Sequence, residues 1–402
     1  MSLLNALDFH FDTENVENSE VEYRLLSWGE IFSPFLGDRE HSTAARFILR
    51  EFPFKLFSAS NPYTEIPQKL VLTFRAPLQT SVKGKVTSMN YKQDEIAKEF
   101  TAFLSVVTRR RVFVVGQTRY DGLPIEQAAE LYDRSYSHER QQLKEIEPEK
   151  ISRLLENLQK MNRELAQRFV LAIRLYYTAI QMMYSEPEFS YLFLVMSLEA
   201  LSAEVYRDIR LVDEVDNQSD LEQHLDSSYP GWRDCCDIST PENREKTINM
   251  LVTKAYLNRR KFRKIVYEYL PESYWNEELD DAKPDYLNIL IGVSKDGGGE
   301  IQTQPSDKSI HDYEKINRSN LKKILDGIYD ARSKLVHEGV RLPSSIVLGH
   351  FKKIPGEALD EMWGLKLATK KSNGVLPIPP LITFERLTSY TLVEFLNRQR
   401  GR

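Results

Sequence analysis

The chain has 402 residues, enough for two or three domains, and its 41% hydrophobic and 28% charged residues are typical of a soluble globular protein. A net charge of −5 argues against bulk electrostatic binding of nucleic acid, although it is compatible with a local basic cleft. The two cysteines, Cys235 and Cys236, are adjacent, which excludes a disulfide framework and a cysteine-based zinc site.

The sequence gives no sign of secretion or membrane insertion. Its N-terminus lacks the basic segment of a signal peptide, and its longest apolar run, residues 191–198, is too short to span a bilayer. We therefore expect a cytoplasmic protein that does not associate with a membrane.

Residues 1–135 are predicted to form an α+β domain. Aromatic residues mixed with proline and glycine favour short strands in the first part, and residues 69–74 form the clearest strand. Residues 91–107 have helical periodicity, and residues 112–115 are strand-like. The basic run between them, residues 109–111, is more typical of a solvated strand edge than of an RNA contact.

Residues 136–402 are predicted to form a mainly α-helical domain. Helical periodicity occurs at residues 140–160, 165–183, 191–201, 248–270 and 387–396. The segment after Pro187 is apolar almost all round, which predicts a buried central helix. Residues 280–317 predict a long mobile loop, and the prolines at 377, 379 and 380 predict a rigid connector. Together these helices would make a bundle.

The most informative helix begins at Leu321 and is expected to end at Gly339, with Ser319 or Asn320 as its cap. Its apolar face consists of Leu321, Ile324, Leu325, Ile328, Ala331 and Leu335. Arg332 interrupts this face, and a buried arginine is costly unless an anion or an interface uses it. His337 lies in the last turn, where the helix dipole favours a protonated imidazole.

Arg332 and His337 make an Arg-x4-His pattern that is followed by Glu338 and Gly339, and an apolar helix carrying Glu199 precedes it. This arrangement resembles the signature of HEPN domains, and most closely the Apea-like branch, over roughly residues 160–400. The resemblance implies a HEPN-like bundle with the activity of a metal-independent endoribonuclease that uses no cofactor. It also implies a homodimer acting in prokaryotic defence against phage, or as a toxin.

In that setting the N-terminal domain would have a sensing or regulatory role. It would respond to a phage- or host-derived trigger, or restrain the nuclease until the trigger arrives.

The two motif residues suit RNA cleavage without a metal. The 2′-OH attacks the neighbouring phosphate, and histidine suits either proton transfer because its pKa of ~6.5 lies near the working pH. The planar guanidinium of Arg332 suits the charge that develops on the phosphate. Five positions apart, the two side chains point about 140° apart on one helix. Two copies of the helix facing each other across a twofold axis would bring them together, and HEPN domains are known for such a composite cleft.

Further residues are expected to support this site. Asp330 and Ser333 share the helix face of His337 and are candidates to orient its imidazole, with Tyr329 beside them. The resemblance places Glu199 against the motif helix, where Arg332 would be its partner. Candidate contacts for RNA phosphates are Lys334, Arg259, Arg260, Lys261, Arg263 and Lys264. The last five are equally compatible with a solvated helix face.

Each assignment has an alternative. Arg332 is also compatible with an ordinary interface arginine, His337 with a plain helix-end charge, and Glu199 with a structural role. The alternative function is a non-catalytic HEPN module that binds RNA or protein, and a third reading is a plain helical interaction protein. The histidines show no metal-ligand spacing, and the glycines at 297–299 lack the frame of a phosphate-binding loop, so no metal or cofactor is expected.

Overall fold

A computed structural model describes most of the predicted helices and strands. The described residues are 3–4, 18–27, 46–49, 54–58, 68–77, 89–109, 111–117, 148–183, 185–208, 231–235, 240–252, 255–275, 317–342, 365–369, 372–379 and 381–399. The predicted helix start at residues 140–147 and the predicted loop at residues 280–316 lie outside them.

Five strands near the N-terminus form one antiparallel sheet in the order β2-β3-β4-β1-β5. They are β1 (Asn18–Ser27), β2 (Arg46–Leu49), β3 (Phe54–Ser58), β4 (Gln68–Pro77) and β5 (Val112–Gln117). Every second residue of a strand points to the same face, and the buried ones include Tyr23, Leu25, Leu70, Leu72 and Phe74. The strands predicted at residues 69–74 and 112–115 are confirmed as parts of β4 and β5.

The remaining described part is mainly α-helical, which is compatible with a helical bundle. The helices are α1 (Met89–Thr108), α2 (Pro148–Lys160), α3 (Arg163–Met182), α4 (Pro187–Val205), α5 (Trp232–Cys235), α6 (Pro241–Val252), α7 (Ala255–Tyr269), α8 (Glu272–Trp275), α9 (Leu321–Glu338) and α10 (Leu381–Asn397). A hairpin of β6 (Leu365–Thr369) and β7 (Ser372–Ile378) lies between α9 and α10.

Prolines mark two positions in the helical region. Pro187 begins α4 after the end of α3, because the missing N–H of proline costs nothing in the first helical turn. Pro377 belongs to β7 and stands opposite Lys366 in the hairpin, so at this position the chain is a strand rather than a rigid connector. Pro379 follows the strand, and Pro380 lies outside the described residues. A two-stranded hairpin consists only of edge strands, where proline is tolerated.

The boundaries of two helix pairs were not predicted from the sequence. The single helix predicted at residues 248–270 is divided between two helices, α6 and α7. Between α2 and α3, the Asn162 side chain caps the new helix by accepting a hydrogen bond from the Glu164 N–H at 2.9 Å.

The predicted buried central helix is confirmed as α4, which packs against α3, α7, α9 and α10. Two serines let α4 and α3 approach closely. Ser190 Oγ donates to the Ala179 carbonyl and Ser197 Oγ to the Ala172 carbonyl, both at 2.7 Å. The later serine in α4 bonds the earlier alanine in α3, so the two helices are antiparallel.

The helix predicted at residues 91–107 is confirmed as α1, which lies between the sheet and the bundle. Phe100 of α1 packs against Phe54 of β3 with 4.7 Å between ring centroids, and α1 also contacts α3 and α10. Buried residues of the sheet, of α1 and of the bundle belong to one hydrophobic cluster. The division between residues 135 and 136 stays a prediction.

Arg109 and Arg111, the two described residues of the basic run after α1, do not form the solvated edge that was predicted. Arg109 Nη2 donates to Glu385 Oε2 of α10 at 3.0 Å, with side chains 12% and 0% exposed, and Arg111 is buried. Tyr176 of α3 donates a second hydrogen bond to the same carboxylate. These bonds join the end of α1 to the middle of the bundle.

Candidate functional site

Helix α9 carries the Arg-x4-His pattern, and its apolar face is buried as predicted except at Leu335, which is half-buried. It ends at Gly339, whose φ of 65° is left-handed and lets the Val340 N–H donate to the Lys334 carbonyl at 3.2 Å. At the other end Asn320 is the N-cap, but its side chain makes no capping hydrogen bond. It accepts from the Asn317 N–H at 2.9 Å instead.

Arg332 of α9 and Glu199 of α4 form the predicted ion pair. Arg332 Nη2 lies 3.5 Å from Glu199 Oε2, and the two side chains are 23% and 18% exposed. Burial raises the pKa of the Glu199 carboxyl, while the Arg332 charge and a hydrogen bond from the Tyr329 hydroxyl act to lower that pKa. The guanidinium is therefore held against the bundle with part of its surface open to solvent.

Tyr329 is the buried centre of this cluster. Its hydroxyl bonds Glu199, and desolvation raises the pKa of Tyr329 to about 12, so the hydroxyl stays protonated and donates. The guanidinium carbons of Arg332 and Arg259 lie 5.9 and 5.5 Å from its ring centroid. Both distances are within the range of a cation–π contact.

His337 lies in the exposed last turn of α9, one turn beyond Ser333, which is half-buried. Asp330, a candidate to orient the imidazole, forms an ion pair with Arg259 of α7, and its role toward His337 stays a prediction. Because α9 is a continuous helix, Arg332 and His337 leave it about 140° apart. One chain alone therefore does not direct the two side chains toward each other.

Two arginines of the predicted basic stripe hold α7 against α9. Besides the Arg259 pair, Arg263 Nη1 contacts both carboxylate oxygens of Asp326 at 3.0 and 3.1 Å. Lys264 Nζ lies 5.3 Å from the Tyr206 ring centroid. Lys261 is half-buried, and its burial lowers the pKa of its amine. The RNA-contact prediction for this stripe and for Lys334 stays a prediction.

Helix α4 also contacts the chain just beyond α9. The Leu342 N–H donates to Glu188 Oε1 at 3.0 Å, so Glu188 and Glu199 contact the chain on either side of His337. Next to the histidine, Val336 and Val340 are 48% and 43% exposed. The histidine therefore lies on a partly apolar surface.

The Glu385 cluster was missed from the sequence. The sequence signal for this cluster is the pair of adjacent charged residues Glu385 and Arg386 within the apolar pattern of α10. Because buried charges require partners, such a pair indicates a buried polar cluster. Arg386 Nη2 donates to the Tyr274 carbonyl at 2.6 Å, and its guanidinium carbon lies 4.4 Å from the Tyr274 ring centroid. This cluster is distinct from the Glu199 site.

Within the described residues, no three His, Cys, Asp or Glu side chains are grouped so that they could hold a metal ion. None of the described helices has both the length and the apolar character needed to cross a membrane. Comparisons with protein-family models, with curated proteins and with solved structures found no match.

Proposed function

We propose that this protein is a metal-independent endoribonuclease of the HEPN type with a HEPN-like helical bundle. The observation that carries the proposal is the partly exposed ion pair of Glu199 and Arg332, whose charged atoms lie 3.5 Å apart. Arg332 precedes the exposed His337 by five residues on the same helix. An arginine that is held by a carboxylate but still reaches solvent suits a phosphate-binding role.

Each residue has a distinct role in the proposed chemistry. Arg332 binds the scissile phosphate and stabilises the charge that develops as the 2′-OH attacks. His337 transfers a proton, either from the 2′-OH or to the leaving 5′-oxygen. Glu199 holds the guanidinium. The products are a 2′,3′-cyclic phosphate and a 5′-hydroxyl, because the attacking oxygen is the RNA's own 2′-OH and not water. The proposed step assigns no role to a metal ion.

The proposed active form is a homodimer. Because Arg332 and His337 diverge on α9, a second α9 across a twofold axis would complete the site. Val336 and Val340, exposed beside His337, offer apolar surface for such a contact. RNA is the proposed substrate, the cytoplasm the proposed location, and antiphage defence or toxicity the proposed setting. The N-terminal α+β region would sense the trigger.

The test is a cleavage assay on purified protein with RNA, in the presence and absence of EDTA. We expect cleavage in both conditions, cyclic phosphate ends, and no cleavage by Arg332→Ala or His337→Ala. Arg341→Ala and Glu338→Ala are matched controls, because both side chains are exposed near the same helix end. Full dependence on Mg²⁺ or Mn²⁺, or wild-type cleavage by either motif variant, would refute the proposal.

The same assay separates the alternatives. A non-catalytic module would bind RNA, or a protein, without cutting RNA. A plain helical interaction protein would neither bind nor cut it.

A further inference from the structure

Tyr329 contacts the groups that hold Arg332. Its hydroxyl bonds Glu199, and its ring faces the guanidinium of Arg332 three positions further along α9. Glu199 in turn lies 3.5 Å from Arg332. The three side chains therefore form a closed triangle in which each contacts the other two.

The arginine depends on this triangle for its orientation. Its Nε is buried and has no hydrogen-bond partner among the described residues. Its position is therefore set by the carboxylate on one side and by the ring on the other. A guanidinium that rotates freely binds phosphate with poorer geometry, because its fork of donors must match two oxygens.

The Tyr329 ring is held in place by two residues of α7. Phe262 of α7 packs at 5.9 Å between ring centroids, and Arg259 faces the ring at 5.5 Å while its own charge is paired with Asp330. The phenol therefore cannot turn without breaking contacts between α7 and α9. It is a rigid support for both Glu199 and Arg332.

We propose that Tyr329 is a positioning residue of the nuclease site: its hydroxyl orients the Glu199 carboxylate and its ring supports the Arg332 guanidinium for phosphate binding. The inference rests on the proposed function. It assigns Tyr329 no contact with the reacting atoms.

The hydroxyl also affects the ionisation of Glu199. Burial raises the pKa of Glu199, and the charged or polar groups that act against this are Arg332 and the Tyr329 hydroxyl, with Arg259 facing the same ring. Removing the hydroxyl raises that pKa further, since the ionised carboxylate loses a donor. A protonated Glu199 no longer pairs with Arg332, so activity falls as pH decreases through this pKa.

The test compares Tyr329→Phe, which keeps the ring, with Tyr267→Phe. Tyr267 lies on the α7 side of the same interface, is 48% exposed and has the Asp326 and Arg263 charges beside it. We expect Tyr329→Phe to lower kcat about tenfold with a smaller change in KM, as loss of one charge-assisted hydrogen bond predicts. The acid limb of its pH profile should move to higher pH, because Glu199 without this hydrogen bond is protonated at a higher pH. Tyr267→Phe should match the wild type.

A second variant isolates the mechanism. Glu199→Gln replaces the titrating carboxylate of this site by an amide. In that background, adding Tyr329→Phe should not change the pH at which cleavage falls. Thermal unfolding of each variant reports whether the fold is intact. An active wild type with an unchanged kcat and pH profile in Tyr329→Phe would overturn this inference alone. A wild type that does not cleave RNA would overturn it together with the proposed function.

Discussion

At the scale of single residues, the chain holds charged groups in two contrasting environments. Glu199 and Arg332 meet at a partly exposed surface, whereas Arg109 and Glu385 meet inside the core. A buried ion pair gains little over apolar packing, but loss of one partner leaves an uncompensated charge. The first pair therefore suits ligand binding, and the second specifies how the helices dock.

Arg332→Lys tests whether the planar fork of Arg332 matters beyond its charge. We expect cleavage to fall at least about 100-fold, because an ammonium cannot bind two phosphate oxygens in parallel. Single-turnover rates with the same RNA provide the measurement. Arg341→Lys, at an exposed position, should cleave normally. A fully active Arg332→Lys enzyme would show that only the positive charge is required.

Removal of one partner of the core ion pair should destabilise the fold. Arg109→Met leaves Glu385 buried without its cation, and we expect the free energy of unfolding to fall by about 3–5 kcal/mol. Lys160→Met is the matched control, since its pair with Glu156 is exposed and contributes about 1 kcal/mol or less. Denaturant unfolding of both variants gives the comparison. Equal losses would mean that the Arg109 pair is energetically no different from a surface pair.

At the scale of elements, α4 positions α9, the helix that carries Arg332 and His337. Its Glu199 contacts Arg332 and its Glu188 accepts from the Leu342 N–H just beyond the helix. Helix α7 supports α9 through the Arg259 and Arg263 ion pairs. The end of α9 that carries His337 is set by these contacts and by the left-handed turn at Gly339.

Gly339→Ala should destabilise this helix end. A φ of 65° costs a residue with a Cβ about 1 kcal/mol, and since no atom lies within 4 Å of the added Cβ the cost is backbone strain, not a clash. We expect a melting temperature lower by about 1 °C, because the unfolding entropy of a 402-residue chain is large, and slower cleavage as His337 loses its fixed position. Gly339→Asn should be milder, because asparagine tolerates this conformation. A larger loss in the asparagine variant would contradict the backbone explanation.

At the scale of the whole molecule, the described regions share one core. Helix α10 contacts α1 through Glu385 and through Ser389 Oγ, which donates to the Val106 carbonyl at 2.8 Å. The same helix packs against α4, which carries Glu199. The N-terminal α+β region and the candidate site are thus joined by continuous packing.

The proposed composite site predicts complementation between inactive subunits. Arg332→Ala and His337→Ala homodimers should each be inactive, while a mixed dimer retains one arginine and one histidine in the shared cleft and should recover part of the activity. Sedimentation of the wild type should show a dimer. Val336→Glu should weaken that dimer, whereas Leu171→Glu, at a similarly exposed apolar position on α3, should not. Full activity of a monomer at high dilution would refute the shared cleft.

The sequence by itself determined much of the architecture. Hydrophobic periodicity located α1, α9 and α10, because the pattern depends only on the 3.6-residue repeat of the helix. An apolar run after Pro187 located α4, and short strand-like segments at residues 69–74 and 112–115 located β4 and β5. The end of α9 was readable from Gly339, since a left-handed terminus favours glycine. The Glu199–Arg332 contact was expected from the resemblance, and its role in catalysis stays a proposal.

The tertiary structure decided which partner each charge takes. Asp330 pairs with Arg259 of α7, a partner that the sequence did not indicate, and Arg109 is buried against Glu385 although its sequence neighbours indicated a solvated edge. Nothing local distinguishes these outcomes, because an ion pair between residues far apart in the chain forms only after helix packing has brought the helices together. Burial then fixes the pairing, since a charge removed from water must find a partner.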